Sequence, residues 1–148
     1  MTKLTSLFLL RLSLGFYFLY AGFSKIIDPT WSAVGYLNGA QGFLKPLYNY
    51  FAGANVLPII NVLNEWGLAL IGLALILGLA TRFASFCGII LMALYYLALS
   101  FPYPDAHSLV VDQHIIFITI FLVIIALRSE DKISLLPKLK NSLPKIFQ

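Results

Sequence analysis

Charged residues and cysteine are scarce in this sequence. Asp, Glu, Lys and Arg make up only 11% of the 148 residues, whereas 60% are hydrophobic and the mean hydropathy is +0.89. This balance excludes an ordinary soluble domain and indicates an integral membrane protein. The single cysteine, Cys87, cannot form a disulfide framework or a CxxC pair, which excludes the quinone reductases that act through two thiols.

Histidine is scarce too, which limits the cofactors and metals that the chain can bind. The two histidines, His107 and His114, lie seven residues apart near one helix end and cannot ligate opposite faces of one haem. We therefore expect no bound haem, flavin or iron–sulfur cluster. We also expect no metal site, because the i, i+2 spacing of Asp105 with His107, and of Asp112 with His114, places the ligands on different faces of a helix.

Four hydrophobic segments are each close to the ~20 residues that a helix needs to cross a bilayer. They cover about residues 4–27, 57–79, 82–100 and 109–127. We predict an all-α fold, a four-helix transmembrane bundle in a single domain over residues 1–148, with a basic amphipathic tail at 128–148. The first segment is expected to be a retained helix, because it is long for a secretory signal and carries Arg11 in its middle.

The connections between these segments also indicate how the helices are arranged. About thirty residues between the first two spans are rich in aromatic side chains and poor in charge. We expect them to form short helices at the outer membrane interface that cover the mouth of the bundle. The second and third spans are joined by a short turn, in which Gly78 can end one helix and Thr81 can cap the next. These two helices should be antiparallel neighbours.

Lys and Arg concentrate on one side of the four-span arrangement. Because the cytoplasmic loops of membrane proteins carry an excess of positive charge, we expect both termini in the cytoplasm, with the chain crossing the membrane several times. In the tail 128–148 the lysines alternate with Leu and Ile. This pattern favours binding to anionic membrane lipids over binding to nucleic acid.

Glu65 and His114 are titratable residues inside hydrophobic spans. A charge in the bilayer interior costs at least a few kcal/mol, so such residues normally face a partner or a polar cavity. At about 1.5 Å per helical residue, both lie roughly 18 to 21 Å above the cytoplasmic end, level with Tyr17 and Tyr95. All four helices should therefore contribute polar or aromatic groups to one layer.

Further polar residues extend this candidate site. Asn61 shares a face of the second helix with Glu65, and Arg11 on the first helix could reach upward to form an ion pair with Glu65. That pair could instead serve only to fix the helix register, and His114 could donate a hydrogen bond to a backbone carbonyl or to Asp112. The predicted catalytic residues are His114 and Glu65, and the predicted substrate-binding residues are Arg11, Tyr17, Tyr95, Asn61, Lys25 and Asp112.

Three stretches carry most of these residues: LRLSLGFYFLYAGFSKI at 10–26, NEWGLALIGLALILGLATRFA at 64–84 and VDQHIIF at 111–117. In their order and spacing they resemble the DoxX family and its relative DoxD, the small membrane subunit of thiosulfate:quinone oxidoreductase. The resemblance implies a four-helix membrane protein that is linked to quinones or to sulfur oxidation. It also implies that the sulfur-oxidising complex needs a second subunit.

Three functions are open at this point. The first is a quinone-interacting redox subunit, in which His114 exchanges protons with the quinone and Glu65 orients it or relays protons. Such a chain is expected to work with a partner redox subunit that supplies electrons, or as a homo-oligomer. The second is a carrier or binding protein for a small hydrophobic or anionic solute, and the third is a non-catalytic assembly subunit. The sequence thus leaves open whether the chain is a quinone-linked oxidoreductase subunit.

Overall fold

The computed structural model describes residues 3–99 and 110–127. Within these ranges it contains six helices and no strand, which confirms the predicted all-α class. The helices are α1 (Lys3–Ile26), α2 (Val34–Asn38), α3 (Lys45–Phe51), α4 (Leu57–Leu77), α5 (Thr81–Leu97) and α6 (Gln113–Ala126). The tail 128–148, Asp105 and His107 lie outside the described residues.

Each of the four longest helices coincides with a predicted segment but starts later or ends earlier than that segment. α1 and α4 are long and apolar enough to cross a membrane, whereas α5 and α6 are shorter apolar helices. α6 begins at Gln113, inside the predicted segment 109–127, because Asp112 is its N-cap. The Oδ1 atom of Asp112 accepts hydrogen bonds from the backbone N–H groups of His114 (3.0 Å) and Ile115 (3.1 Å).

Helices α1 and α4 lie against each other with their backbones in contact. A Cβ atom on Gly22 would lie 2.3 Å from the backbone nitrogen of Ala69, and one on Gly72 would lie 2.2 Å from that of Leu19. No side chain fits at either position, so the two glycines set the distance between the helices. Small residues at such contacts are typical of helices that pack in membranes. We call the contact at Gly22 and Gly72 the glycine seam.

Helices α4 and α5 form the predicted tight hairpin. Gly78 ends α4 in the left-handed conformation (φ 71°), which confirms its predicted role. The predicted cap at Thr81 is wrong, because Ala80 occupies the N-cap position with φ 46° and no side chain caps the helix. Helix α5 packs on α6, where a Cβ atom on Gly88 would lie 2.3 Å from Cζ of Phe121. The hairpin thus joins an α1–α4 pair to an α5–α6 pair.

The outward faces of the long helices are apolar. On α1, Phe16 is 57% exposed and Phe23 is 54% exposed, and on α5 Phe83 is 71% exposed. An apolar surface of this extent would be an aggregation hazard in water, and it suits contact with lipid chains. The core between the helices is apolar as well and includes Leu75 and Phe121.

The short helices α2 and α3 cover one end of the bundle, as predicted for the loop between the first two segments. The Tyr36 hydroxyl donates to the carbonyl oxygen of Tyr95 (2.6 Å), and the Tyr48 hydroxyl donates to that of Leu94 (2.5 Å). Both carbonyls lie in the last turn of α5, where a helix leaves its carbonyls short of backbone donors. We call α2 and α3 together the roof.

Candidate functional site

Four helices bring polar side chains to the end of the bundle beneath the roof. Lys25 lies in the last turn of α1, Asn64 two turns into α4, Tyr95 in the last turn of α5 and His114 in the first turn of α6. Because successive long helices run in opposite directions, these positions share one level. We call Lys25, Asn64, Tyr95, His114 and Asp112 the polar cluster.

The Lys25 ammonium is held between an amide oxygen and two aromatic rings. Its Nζ donates to Oδ1 of Asn64 (2.8 Å) and lies 4.6 Å from the ring centroid of Trp31 and 6.0 Å from that of Tyr95. Its charge also interacts with that of Glu65. Ring faces, an amide oxygen and a carboxylate all stabilise a cation, which explains how a lysine is accommodated here.

Asn64 connects Lys25 to Tyr95. It is 8% exposed, its Oδ1 accepts from Lys25, and its Nδ2 donates to Oη of Tyr95. The orientation of the amide is fixed, because an ammonium group has only donors and must face the oxygen. Asn64 was not among the residues predicted from the sequence. Its position three residues after Asn61 and directly before Glu65 was the signal that could have identified it.

His114 completes the polar cluster from α6. Its ring meets that of Tyr95 edge to face, with centroids 5.6 Å apart and planes at 77°. Its Nδ1 contacts Oδ2 of Asp112, and both side chains are largely buried. A carboxylate oxygen accepts hydrogen bonds, so Nδ1 of His114 is the donor in this contact and Nε2 takes no part in it. The hydrogen bond to Asp112, which the sequence left as an alternative, is therefore formed.

A pocket of about 150 Å³ lies between the roof and helices α4 and α5. Its wall is largely apolar, with Leu37 from the roof and Leu91 from α5, while the polar cluster contributes Asn64 and Tyr95. Tyr48 of the roof also lines it, and burial raises the pKa of Tyr48, so its hydroxyl stays protonated. Apolar walls with a few polar groups are typical of sites for small organic molecules.

Arg11 lies at the other end of the bundle. It is 1% exposed, and its Nη1 lies 2.8 Å from where a Cβ atom on Gly78 would be, at the C-terminal end of α4. Gly78 is thirteen residues beyond Glu65, about 20 Å along a helix, so the predicted ion pair between Arg11 and Glu65 is wrong. Side chains on a helix lean towards its N-terminus, which directs Arg11 away from Glu65. Arg11 and Lys25 cannot hold one anion together.

Glu65 stays close to the polar cluster without joining its hydrogen bonds. Its side chain is half-buried, and within residues 3–99 and 110–127 its carboxylate makes no hydrogen bond or direct ion pair. It does not line the pocket. Its link to the polar cluster is the electrostatic interaction with Lys25.

Two other predicted residues lie outside the polar cluster. Tyr17 is 51% exposed and packs against Phe117, with ring centroids 4.8 Å apart, and it does not line the pocket. Asn61 accepts a hydrogen bond from the backbone N–H of Ala33 (3.0 Å) and donates one to Oγ of Ser32 (3.3 Å). Asn61 therefore fixes the chain just before α2 to α4.

Comparison with known families identifies the class of protein. The family model described as DoxX matches residues 6–100, which is more than half of the chain. The chain belongs to the DoxX family. Membership of the DoxX family confirms the resemblance seen in the sequence, and together with the apolar helices it indicates a membrane protein. Neither the curated proteins nor the solved structures give a significant match.

The DoxX match covers part of the polar cluster. Lys25, Asn64 and Tyr95 lie within the matched range, whereas Asp112 and His114 lie beyond it. The link from Lys25 to the pocket thus falls inside the DoxX region. The structure, and not the family match, shows that His114 and Asp112 lie beside Tyr95.

Proposed function

We propose that this DoxX protein is a four-helix subunit of the bacterial inner membrane that binds the headgroup of a quinone beneath the roof. In this proposal α1, α4, α5 and α6 all cross the membrane, both termini are cytoplasmic, and the roof lies at the outer interface. The apolar outward faces support a membrane location. The excess of Lys and Arg towards the termini supports the orientation.

The observation that carries the proposal is a small apolar pocket with a tyrosine and an asparagine in its wall. Its volume of about 150 Å³ is below the roughly 300 Å³ at which sites for drug-sized ligands begin. This size suits a single ring, with an isoprenoid tail left in the lipid. Tyr95 and Asn64 line the pocket, and in this proposal they supply the hydrogen-bond donors that a ring carbonyl needs.

The polar cluster can supply both hydrogen bonds and protons to such a ring. Reduction of a quinone to a quinol takes up two electrons and two protons. In this proposal Tyr95 donates a hydrogen bond to a carbonyl oxygen of the quinone. His114, which contacts Asp112 and packs against the ring of Tyr95, transfers protons towards the quinone. Lys25 orients Asn64, and Glu65 balances the charge of Lys25.

The electrons come from outside the chain in this proposal. We expect no haem, flavin or iron–sulfur cluster bound to the protein, so a partner redox subunit delivers the electrons. A second copy of the chain is the alternative neighbour. The exposed phenylalanines contact lipid chains, the basic tail 128–148 binds anionic lipid headgroups, and no nucleic acid is involved.

Titration of the purified protein in nanodiscs with decylubiquinone tests this proposal. We expect saturable binding to the native protein and about two- to tenfold weaker binding after Tyr95→Phe, because one hydrogen bond contributes about 0.5–1.5 kcal/mol. Tyr96→Phe is the matched control. The Tyr96 hydroxyl donates to the carbonyl oxygen of Val110 (2.8 Å), and the residue does not line the pocket.

Two results would contradict the proposal. Equal affinities of the native protein and the Tyr95→Phe and His114→Ala variants would mean that the quinone binds away from the polar cluster. Binding no greater than that of empty nanodiscs would exclude quinone as the ligand. Uptake of a small solute into proteoliposomes would then favour the carrier function.

A further inference from the structure

We infer that the pocket selects ligands whose polar group accepts a hydrogen bond, so that an oxidised quinone binds more tightly than its quinol. The inference rests on the proposed function and concerns the direction of the hydrogen bonds in the polar cluster. A quinone carbonyl only accepts hydrogen bonds, whereas a quinol hydroxyl also needs an acceptor for its own hydrogen. The pocket fits one form better if its wall offers mainly donors.

Lys25 fixes the direction of the hydrogen bonds that lead to the pocket. Its ammonium group occupies Oδ1 of Asn64 at 2.8 Å, so the amide nitrogen of Asn64 faces Oη of Tyr95. An amide nitrogen can only donate, and Tyr95 must therefore accept from Asn64 with a lone pair. The hydroxyl hydrogen of Tyr95 therefore does not point at Asn64. No acceptor among the described residues takes it.

The other polar side chains that line the pocket do not change this direction of hydrogen bonding. Tyr36 and Tyr48 donate their hydroxyl hydrogens to carbonyl oxygens of α5, which leaves only their weakly basic phenolic oxygens. The second amide hydrogen of Asn64 is one more donor. His114 does not line the pocket. Of the lining residues, Tyr95 and Asn64 therefore have a hydrogen left to donate, while Oδ1 of Asn64 already accepts from Lys25, and we assign these two donors to the pocket.

Duroquinone and durohydroquinone test this inference, because they have the same single ring and lack a tail. Their affinities are measured without oxygen in nanodiscs and corrected for partition into empty nanodiscs. We expect the native protein to bind duroquinone about two- to tenfold more tightly than durohydroquinone. Tyr95→Phe should reduce the preference by lowering the affinity for duroquinone, because only the Asn64 donor remains, and the control Tyr96→Phe should retain the full preference.

Asn64→Asp is the sharpest variant, since it changes the direction of the hydrogen bond with almost no change in shape. The introduced carboxylate accepts from both Lys25 and the Tyr95 hydroxyl, so that Tyr95 presents a lone pair to the pocket. We therefore expect durohydroquinone to become the tighter ligand in this variant. Size-exclusion chromatography shows whether the variant is folded and monodisperse.

The possible failures are distinguishable. Equal affinities for the two forms in the native protein, or a preference for duroquinone that Asn64→Asp leaves unchanged, would overturn the inference and leave quinone binding intact. Saturable binding of neither form would overturn the proposed function. If Asn64→Asp does not fold, Tyr95→Phe decides the question, because a preference that is undiminished without the hydroxyl overturns the inference.

Discussion

The two ends of the bundle each hold a basic side chain within an apolar helix, but in different surroundings. At the roof end, Lys25 is linked through Asn64 to Tyr95 in the pocket wall. At the other end, Arg11 is 1% exposed and packs on the last turn of α4 beside Gly78. At the roof end, hydrogen bonds lead from the charged side chain to a pocket. At the other end, the packed helices enclose the side chain of Arg11. We propose that a charge inside an apolar helix marks a ligand site when its hydrogen bonds lead to a cavity.

The glycine seam holds both ends in register, so opening it should damage both and have the largest effect. Gly72→Ala would place a Cβ atom 2.2 Å from the backbone nitrogen of Leu19. We expect the free energy of unfolding to fall by about 3 kcal/mol, together with loss of quinone binding, because α1 and α4 must separate. Thermal unfolding in detergent measures this change.

Gly67→Ala on the same helix is the matched control for the glycine seam. Nothing lies within 4 Å of a Cβ atom at that position. Alanine also has a higher helix propensity than glycine, so this variant should be as stable as the native protein or more so. If both alanine variants unfold at the same temperature, the backbone contact between α1 and α4 is not as close as described.

Replacing Arg11 should separate the properties of the two ends. Arg11→Leu removes a cation from the C-terminal end of α4, and we expect the free energy of unfolding to fall by about 2 kcal/mol. Quinone affinity of the folded protein should be unchanged, because the pocket is at the other end. Arg82→Leu, at an exposed position, should change neither property. A loss of quinone affinity in Arg11→Leu as large as in Tyr95→Phe would argue against separate roles for the ends.

Replacing Lys25 should have the opposite pattern. Without the ammonium group, the Asn64 amide can turn and accept the Tyr95 hydroxyl hydrogen, so Lys25→Met should weaken quinone binding about two- to tenfold. The effect on stability should be small, because the aliphatic stem is retained and the group is only half-buried. Lys45→Met, at an exposed position on α3, is the control. Unchanged affinity in Lys25→Met would mean that Lys25 does not orient the amide.

The smallest expected effect concerns Asp112, which both caps α6 and contacts His114. Asp112→Ala removes the cap, and we expect it to lower the free energy of unfolding by about 1 kcal/mol. Asp112→Asn keeps a capping side chain and should change stability little, although it removes the charge beside His114. Quinone reduction with a chemical electron donor should slow in both variants. Equal stability of the two variants would show that the capping contact contributes little.

The helices were predictable because long apolar runs in a membrane protein leave few alternatives. The predicted segments 4–27 and 57–79 nearly coincide with α1 and α4. The short aromatic helices over the bundle and the left-handed Gly78 were also predictable, since weakly charged loops and glycine each have few alternative structures. The start of α6 was less accurate because Asp112 looked like part of an apolar segment and is in fact its cap.

The site was predictable in part, and the errors have physical reasons. Depth counting placed Tyr95 and His114 at one level, and their rings are in contact, because opposed helices bring residues of equal depth together. Asn64 was missed because the inward face of α4 was assigned to Asn61 and Glu65, whereas Asn64 shares the buried face with Leu68 and Leu75. The pairing of Arg11 with Glu65 failed because depth counting ignored the lean of helical side chains towards the N-terminus.

Photolabelling with an azidoquinone tests most directly whether the roof end is the ligand site. The purified protein is labelled in nanodiscs, digested, and the labelled positions are mapped by mass spectrometry with and without excess unlabelled quinone. We predict that competed label falls on residues that line the pocket, within 33–64 and 91–95. Competed label around Arg11 and Gly78 instead would contradict the assignment of the ligand site to the roof end.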